Sequence, residues 1–114
     1  MHELSVTQTI LDIALAHADG AKITAIHLVI GDLTSLVDDS IQFYWDMISA
    51  GTNAVGATLH FTRIPAQAHC EACDVTYVIK TEGLLCPQCG SHHVIIMSGK
   101  EFFVDSIDIQ ETTP

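Results

Sequence analysis

Apolar positions recur with a helical period at the start of the chain. At about 100° per residue, Leu4, Val6, Ile10, Leu11, Ile13, Ala14, Leu15 and Ala18 cover one broad arc, and Gln8, Thr9, Asp12 and Asp19 fill the rest. The pattern predicts an amphipathic helix over residues 5–19. Ser5-Val6-Thr7-Gln8 has capping-box spacing at its start, and Gly20 supplies its stop. Residues 23–30 are β-branched and apolar, as in a mostly buried strand. Gly31-Asp32 turns the chain. Asp39-Ser40-Ile41-Gln42 is a second capping-box candidate, opening a helix through Ile41, Tyr44, Trp45 and Ile48 that Gly51 ends; the Asp38-Asp39 pair fits capping better than acid–base chemistry. Residues 57–64 alternate apolar and polar, the mark of a half-buried strand. Pro65-Ala66-Gln67-Ala68 reads as a hinge or linker, and a last strand runs from Glu101 to Ile109 with its alternation slipping near Asp105.

The order is helix, strand, helix, strand, cysteine segment, strand. A lone final strand cannot form a domain, so it is expected to rejoin the first sheet. The predicted fold is therefore α+β, with two helices packed on a three-stranded sheet and an inserted zinc-ribbon-like β module. Residues 1–66 and 97–114 form the discontinuous α/β domain, and 67–96 the inserted one.

Composition narrows the function. Apolar residues make up 48% of the 114, which argues against disorder. Fourteen Asp and Glu against four Lys and Arg give a net charge of −10, which repels a phosphate backbone or an anionic membrane. No apolar run approaches the length of a membrane span. No basic residue precedes Lys22 and no signal-peptide pattern is present, so a cytoplasmic location is expected. In that compartment paired cysteines usually bind metal.

All four cysteines lie in one short stretch. Cys70-Glu71-Ala72-Cys73 and Cys86-Pro87-Gln88-Cys89 are two C-x₂-C pairs separated by twelve residues. Each pair sets two thiolates on a tight turn, and a hairpin between them brings four together. Zn²⁺ accepts four sulfur ligands without a geometric preference of its own. The segment is too small to build a core, so metal must supply its folding free energy. A rubredoxin-like iron site and redox-active dithiols are the alternatives. A zinc deaminase fails, because Pro87 follows Cys86 where that motif needs proline before the cysteine. Four thiolates close the site to catalytic water. His69, His92 and His93 flank it, either as solvent-facing loop residues or as substitute ligands. His17 falls in the apolar arc of the first helix, and His27 and His60 in strands; all three read as packed structural residues.

Met1-His2-Glu3 is the second candidate site. Chemistry alone reads it first as an ordinary exposed terminus. Its donors also suit a metal: the Met1 amine, the amide and imidazole nitrogens of His2, and the amide or carboxylate of Glu3. His2 is too large for the usual methionine removal, so Met1 is expected to remain. Such nitrogen-rich planar coordination favours Ni²⁺ or Cu²⁺ over Zn²⁺. A helix just downstream adds amides with no intrahelical acceptor and a positive dipole end. No nucleophile triad, Walker loop or dinucleotide fingerprint is present, so an enzyme is not expected.

Taken together, these residues resemble the HypA/HybF family of nickel-insertion accessory proteins. The likeness runs through Met1-His2-Glu3-Leu4-Ser5, Gly31-Asp32-Leu33, Gly51-Thr52, Gly56-Ala57-Thr58-Leu59, the four cysteines with Pro87 and Gly90-Ser91, and Ser98-Gly99-Lys100-Glu101. It implies a two-domain nickel metallochaperone. His2 would be the essential nickel ligand, with backbone nitrogens of His2 and Glu3 and the Met1 amine beside it. Cys70, Cys73, Cys86 and Cys89 would hold structural zinc. The implied partners are a HypB-type GTPase and the [NiFe]-hydrogenase large-subunit precursor, with urease accessory proteins for some members. The resemblance also sets His92, doubled here by His93, where some relatives carry a histidine that joins the nickel shell. The competing reading is a zinc-ribbon adaptor with no second metal.

Overall fold

The computed structural model describes residues 3–80 and 83–111. Eight elements follow in chain order: α1 (Glu3–Ala18), β1 (Ile23–Gly31), α2 (Asp38–Ile48), β2 (Thr58–Ile64), β3 (Gln67–Cys70), β4 (Thr76–Val78), β5 (Val94–Ser98) and β6 (Phe102–Ile109). They form two three-stranded sheets, ordered β2-β1-β6 and β4-β3-β5. The last strand does rejoin the first sheet, and the cysteine segment is inserted between β2 and β6.

The chain divides into two compact units, 1–29 with 35–62 and 103–114, and 30–34 with 63–102. In the first, α1 packs on α2. Val6, Ile10, Leu11, Ala14 and Ala18 of α1 are buried with Ile41 and Trp45 of α2. Ile26 and Leu28 of β1 are likewise fully buried. The Ile23 amide donates to the Asn53 carbonyl (2.8 Å) and the Asp32 amide to Ile64 (2.9 Å), so β1 and β2 run level and parallel. The Gln110 amide donates to Lys22 (2.8 Å) and the Gly31 amide to Glu101 (2.7 Å), which sets β6 antiparallel to β1.

The helix starts differ from the sequence reading. α1 begins at Glu3, so Ser5 lies inside it, and its carbonyl accepts from Thr9 Oγ1 (3.0 Å). Gln8 reaches forward to Asp12 (3.0 Å) instead of back to a cap, and Gln42 likewise to Asp46 (2.9 Å). The N-cap of α2 is Val37, with no side-chain cap bond. Asp38 and Asp39 sit in the first turn, at the positive helix end. His17 is exposed although its angular position falls between the buried Val6 and Ile10, because it lies in the last turn of α1. Leu4 and Ile13 are also largely exposed. Gln67 and Ala68 are not linker: they begin β3, with Ala68 fully buried. The strand β5 had no counterpart in the sequence reading.

The second unit has a tight crossing at its base. A Cβ on Gly31 would lie 2.0 Å from the Gly99 carbonyl oxygen, so only glycine lets the two backbones pass. The Leu33 amide donates to that same oxygen (2.8 Å), and the Glu101 carboxylate accepts from the Gly99 amide (2.7 Å). Asp32 pairs with Arg63 at 3.1 Å. The Gly31-Asp32-Leu33 and Ser98–Glu101 motifs thus have a packing role here.

Candidate metal centre

Each C-x₂-C pair is set by the same backbone loop. The Cys70 amide donates to the Val75 carbonyl (2.8 Å) and the Asp74 amide returns a bond to Cys70 (2.8 Å). Sixteen residues on, the Cys86 amide donates to Ser91 (2.9 Å) and the Gly90 amide to Cys86 (2.8 Å). The fourth residue after each leading cysteine is left-handed, Asp74 with φ 63° and Gly90 with φ 74°. Aspartate tolerates that conformation better than most side chains. β3, paired with β4 and β5, carries Cys70 at its end, opposite Val94. An isolated antiparallel bridge, Lys80 with Gly83, brings the chain back toward the second loop.

The loops bring all four sulfurs within 4.8 Å of one another. Cys70 and Cys89 Sγ are 3.6 Å apart, and Cys73 and Cys86 Sγ 3.5 Å. A tetrahedral zinc with bonds of about 2.3 Å needs sulfur–sulfur edges of about 3.8 Å, so the donor set fits that ion in both type and spacing. Such a site would be closed, with no position left for water or cargo.

Electrostatics of the free thiols suit the same chemistry. Burial and bonds from Cys86, Cys70 and Cys89 push Cys73 up to about 12. Burial also works against ionisation of Cys86, but the backbone amides of Cys89 and Gln88 donate to its sulfur and win, holding it down at about 6. One sulfur, Cys86, is therefore held toward the thiolate and another, Cys73, toward the thiol. Burial and the nearby cysteine sulfurs raise Tyr77, whose hydroxyl donates to the Leu84 carbonyl (2.6 Å).

The histidines separate clearly. His69 has Nδ1 at 2.8 Å from Thr76 Oγ1 and Nε2 at 2.8 Å from Asp74 Oδ1, so both ring nitrogens are occupied and neither is free for a metal. Asp74 and Thr76 were not singled out from sequence; only the fold puts them beside His69. His92 and His93 are exposed, with ring centroids 4.8 Å apart. His27 and His60 stack nearly parallel at 4.7 Å, and His27 Nε2 lies 3.0 Å from Asp108 Oδ2. Stacked parallel rings direct their in-plane lone pairs side by side, so the pair does not converge on one ion.

Of the Met1-His2-Glu3 site, Met1 and His2 lie outside the described residues. Glu3 is the first residue of α1, and its carbonyl accepts from the buried Thr7 hydroxyl (2.5 Å). Among the described residues, the four cysteines are the only such ligand cluster.

Comparison with known proteins follows the same lines. A family model described as hydrogenase/urease nickel incorporation, metallochaperone, HypA matches residues 1–109. The chain is similar to the hydrogenase maturation factor HypA of Dehalococcoides mccartyi (strain ATCC BAA-2266 / KCTC 15142 / 195), 40% identical over 97% of this chain and 96% of that protein. It is 34% identical to the protein of the same name from Geobacter sulfurreducens, over 96% of this chain and all of the relative. Its fold is similar to the solution structure of the Ni metallochaperone HypA from Helicobacter pylori, with a TM-score of 0.64 and 21% identity over 96% of this chain and 97% of that one.

Proposed function

The chain belongs to the HypA family of hydrogenase and urease nickel-incorporation metallochaperones, and we propose that it carries Ni²⁺ at its N-terminus and zinc at its four cysteines. In this reading the Met1 amine, the His2 amide and imidazole, and the Glu3 amide or carboxylate hold the cargo. Cys70, Cys73, Cys86 and Cys89 hold zinc for structure. With a HypB-type GTPase the protein hands nickel to the [NiFe]-hydrogenase large-subunit precursor in the cytoplasm, and urease accessory proteins are a second outlet. It acts as a carrier and catalyses no reaction.

What carries this reading is the closure of the cysteine cluster. Four converging sulfurs saturate a tetrahedral ion, so a family of nickel carriers has to grip its cargo elsewhere. α1 starts at Glu3, directly after Met1 and His2. Amides at a helix start have no intrahelical acceptor, so deprotonating them for coordination breaks no ladder bond. The helix dipole also favours the negative charge they acquire. A terminal site can release its metal by local movement, whereas the cysteine site cannot open without unfolding its loops.

The test is metal stoichiometry of the untagged protein beside an N-terminally extended form, His2→Ala and Cys73→Ser. Extension and His2→Ala should abolish nickel binding and leave zinc in place, and Cys73→Ser should do the reverse. Equal nickel binding by the extended and untagged proteins would overturn the assignment.

A further inference from the structure

The outward face of α2 is apolar where a lone surface helix would be polar. Ile41, Trp45 and Ser49 turn inward and are buried. On the opposite side Phe43 is 63% exposed and Met47 56%, spaced i and i+4 so that they form one ridge. Phe43 also meets Tyr44 edge-on, with ring centroids 5.4 Å apart. The exposed carboxylates of Asp39 and Asp46 share this outer side. Phenylalanine and methionine are enriched at the centres of protein interfaces, and an acidic border selects what can approach them.

We propose that this face of α2 docks a protein partner that presents an apolar pocket bordered by lysine or arginine. Charge decides among the occupants. Residues 1–29, 35–62 and 103–114 hold nine carboxylates against the single cation Lys22. A second copy would bring the same acidic field to the contact, and an anionic membrane would be repelled in the same way. A basic protein surface gains from both parts of the patch, through steering by Asp39 and Asp46 and burial of Phe43 and Met47. This goes beyond nickel carriage itself, and its test relies on the two partners named in that reading.

The experiment titrates the purified HypB-type GTPase and the purified large-subunit precursor against the full-length protein and two variants. The expected result is that Phe43→Ser with Met47→Ser weakens binding of one of them at least tenfold, with zinc content and thermal unfolding unchanged. Asp46→Lys should weaken the same complex at low salt, with the deficit shrinking as salt screens it. Wild-type affinity of the double variant for both proteins overturns the proposal and leaves nickel delivery standing. Self-association, or retention on anionic vesicles, that the double variant abolishes gives the face to another occupant and also overturns it. Failure of the wild type to bind either protein removes delivery to these partners and the proposal together.

Discussion

A single added methyl group divides the glycines of the second unit into two kinds. At Gly90 a Cβ meets nothing within 4 Å, so substitution costs only the left-handed conformation. Asp74 occupies the same place in the first loop with a similar φ, showing that an L residue is tolerated there. Gly90→Ala should therefore cost about 1 kcal/mol, and Gly90→Asn less. At Gly31 the same Cβ would strike backbone, the Gly99 carbonyl, which cannot rotate away. Gly31→Ala should cost about 3 kcal/mol or more. Chemical denaturation of the zinc-loaded variants ranks them, and equal costs would mean that the crossing is looser than 2.0 Å implies. The cysteines make a second prediction at this scale. Cys86 ionises at about 6 in the folded metal-free loop, against an ordinary 9.0. The stabilisation this brings is fully present above pH 9 and is lost as pH falls through about 6. Because the metal-free unit is expected to unfold, ultraviolet thiolate absorbance of the metal-free protein should step near the ordinary 9.0, and a step near pH 6 that Cys86→Ser removes would show that the loop persists without metal.

Among the elements, α2 starts with a defect that can be repaired. Val37 has the extended backbone of an N-cap (φ −114°, ψ 125°), but its side chain has no oxygen to accept an amide bond. It is mostly exposed, so replacing it loses little burial. Val37→Ser should raise stability by about 1 kcal/mol, roughly 4 °C in Tm. An unchanged Tm would mean that the first-turn amides are already satisfied. The same helix shows where sequence reading reaches its limit. Ser5-x-x-Gln8 and Asp39-x-x-Gln42 offered glutamines that could fold back, but an aspartate four residues ahead offers a nearer partner on the same face. Capping patterns cannot see that competition. The cysteine loops were legible because their ligand spacing is local and each loop closes on itself within six residues. The strand β5 was missed because Val94–Ser98 follows the last cysteine without a break and takes its strand form from β3, far back in the chain. Likewise, nothing local to Gly31 announces Gly99, and only the three-dimensional crossing explains why Gly31 is glycine; Gly99 also has a φ of 114° and Ala66 against it. The position of Glu3 at the head of α1 was nearly legible, because the periodic arc already included Leu4.

For the molecule as a whole, charge and burial are unevenly shared between the two units. The first carries nine of the fourteen carboxylates and nearly all of the large buried side chains, including Ile10, Ile23, Ile26, Leu28, Ile41 and Trp45. Apart from Ile30 at its edge, the buried apolar residues described in the second are Ala66, Ala68, Cys70 and Cys86. Alanines and thiols exclude too little apolar surface to offset the entropy of ordering some forty residues, so a metal at the four cysteines would have to make up the difference. Metal removal should therefore unfold one unit and spare the other, and each contains its own reporter. Trp45 is the sole tryptophan, lies in the first unit and is 1% exposed. Its indole N–H has no acceptor among the described residues, so water admitted by any loosening would shift its emission. Tyr77 lies in the second unit, held by its bond to Leu84. A strong chelator should expose Tyr77 and collapse the dispersion of amide resonances from residues 63–102 while Trp45 emission stays in place. Cys73→Ser should reproduce that state without chelator, and with an unextended N-terminus it should still bind nickel. A red shift of Trp45 on chelation would show that the two units fold as one cooperative body. Loss of zinc would then silence the nickel site through the fold, and His2→Ala would be the only variant that separates the two metals.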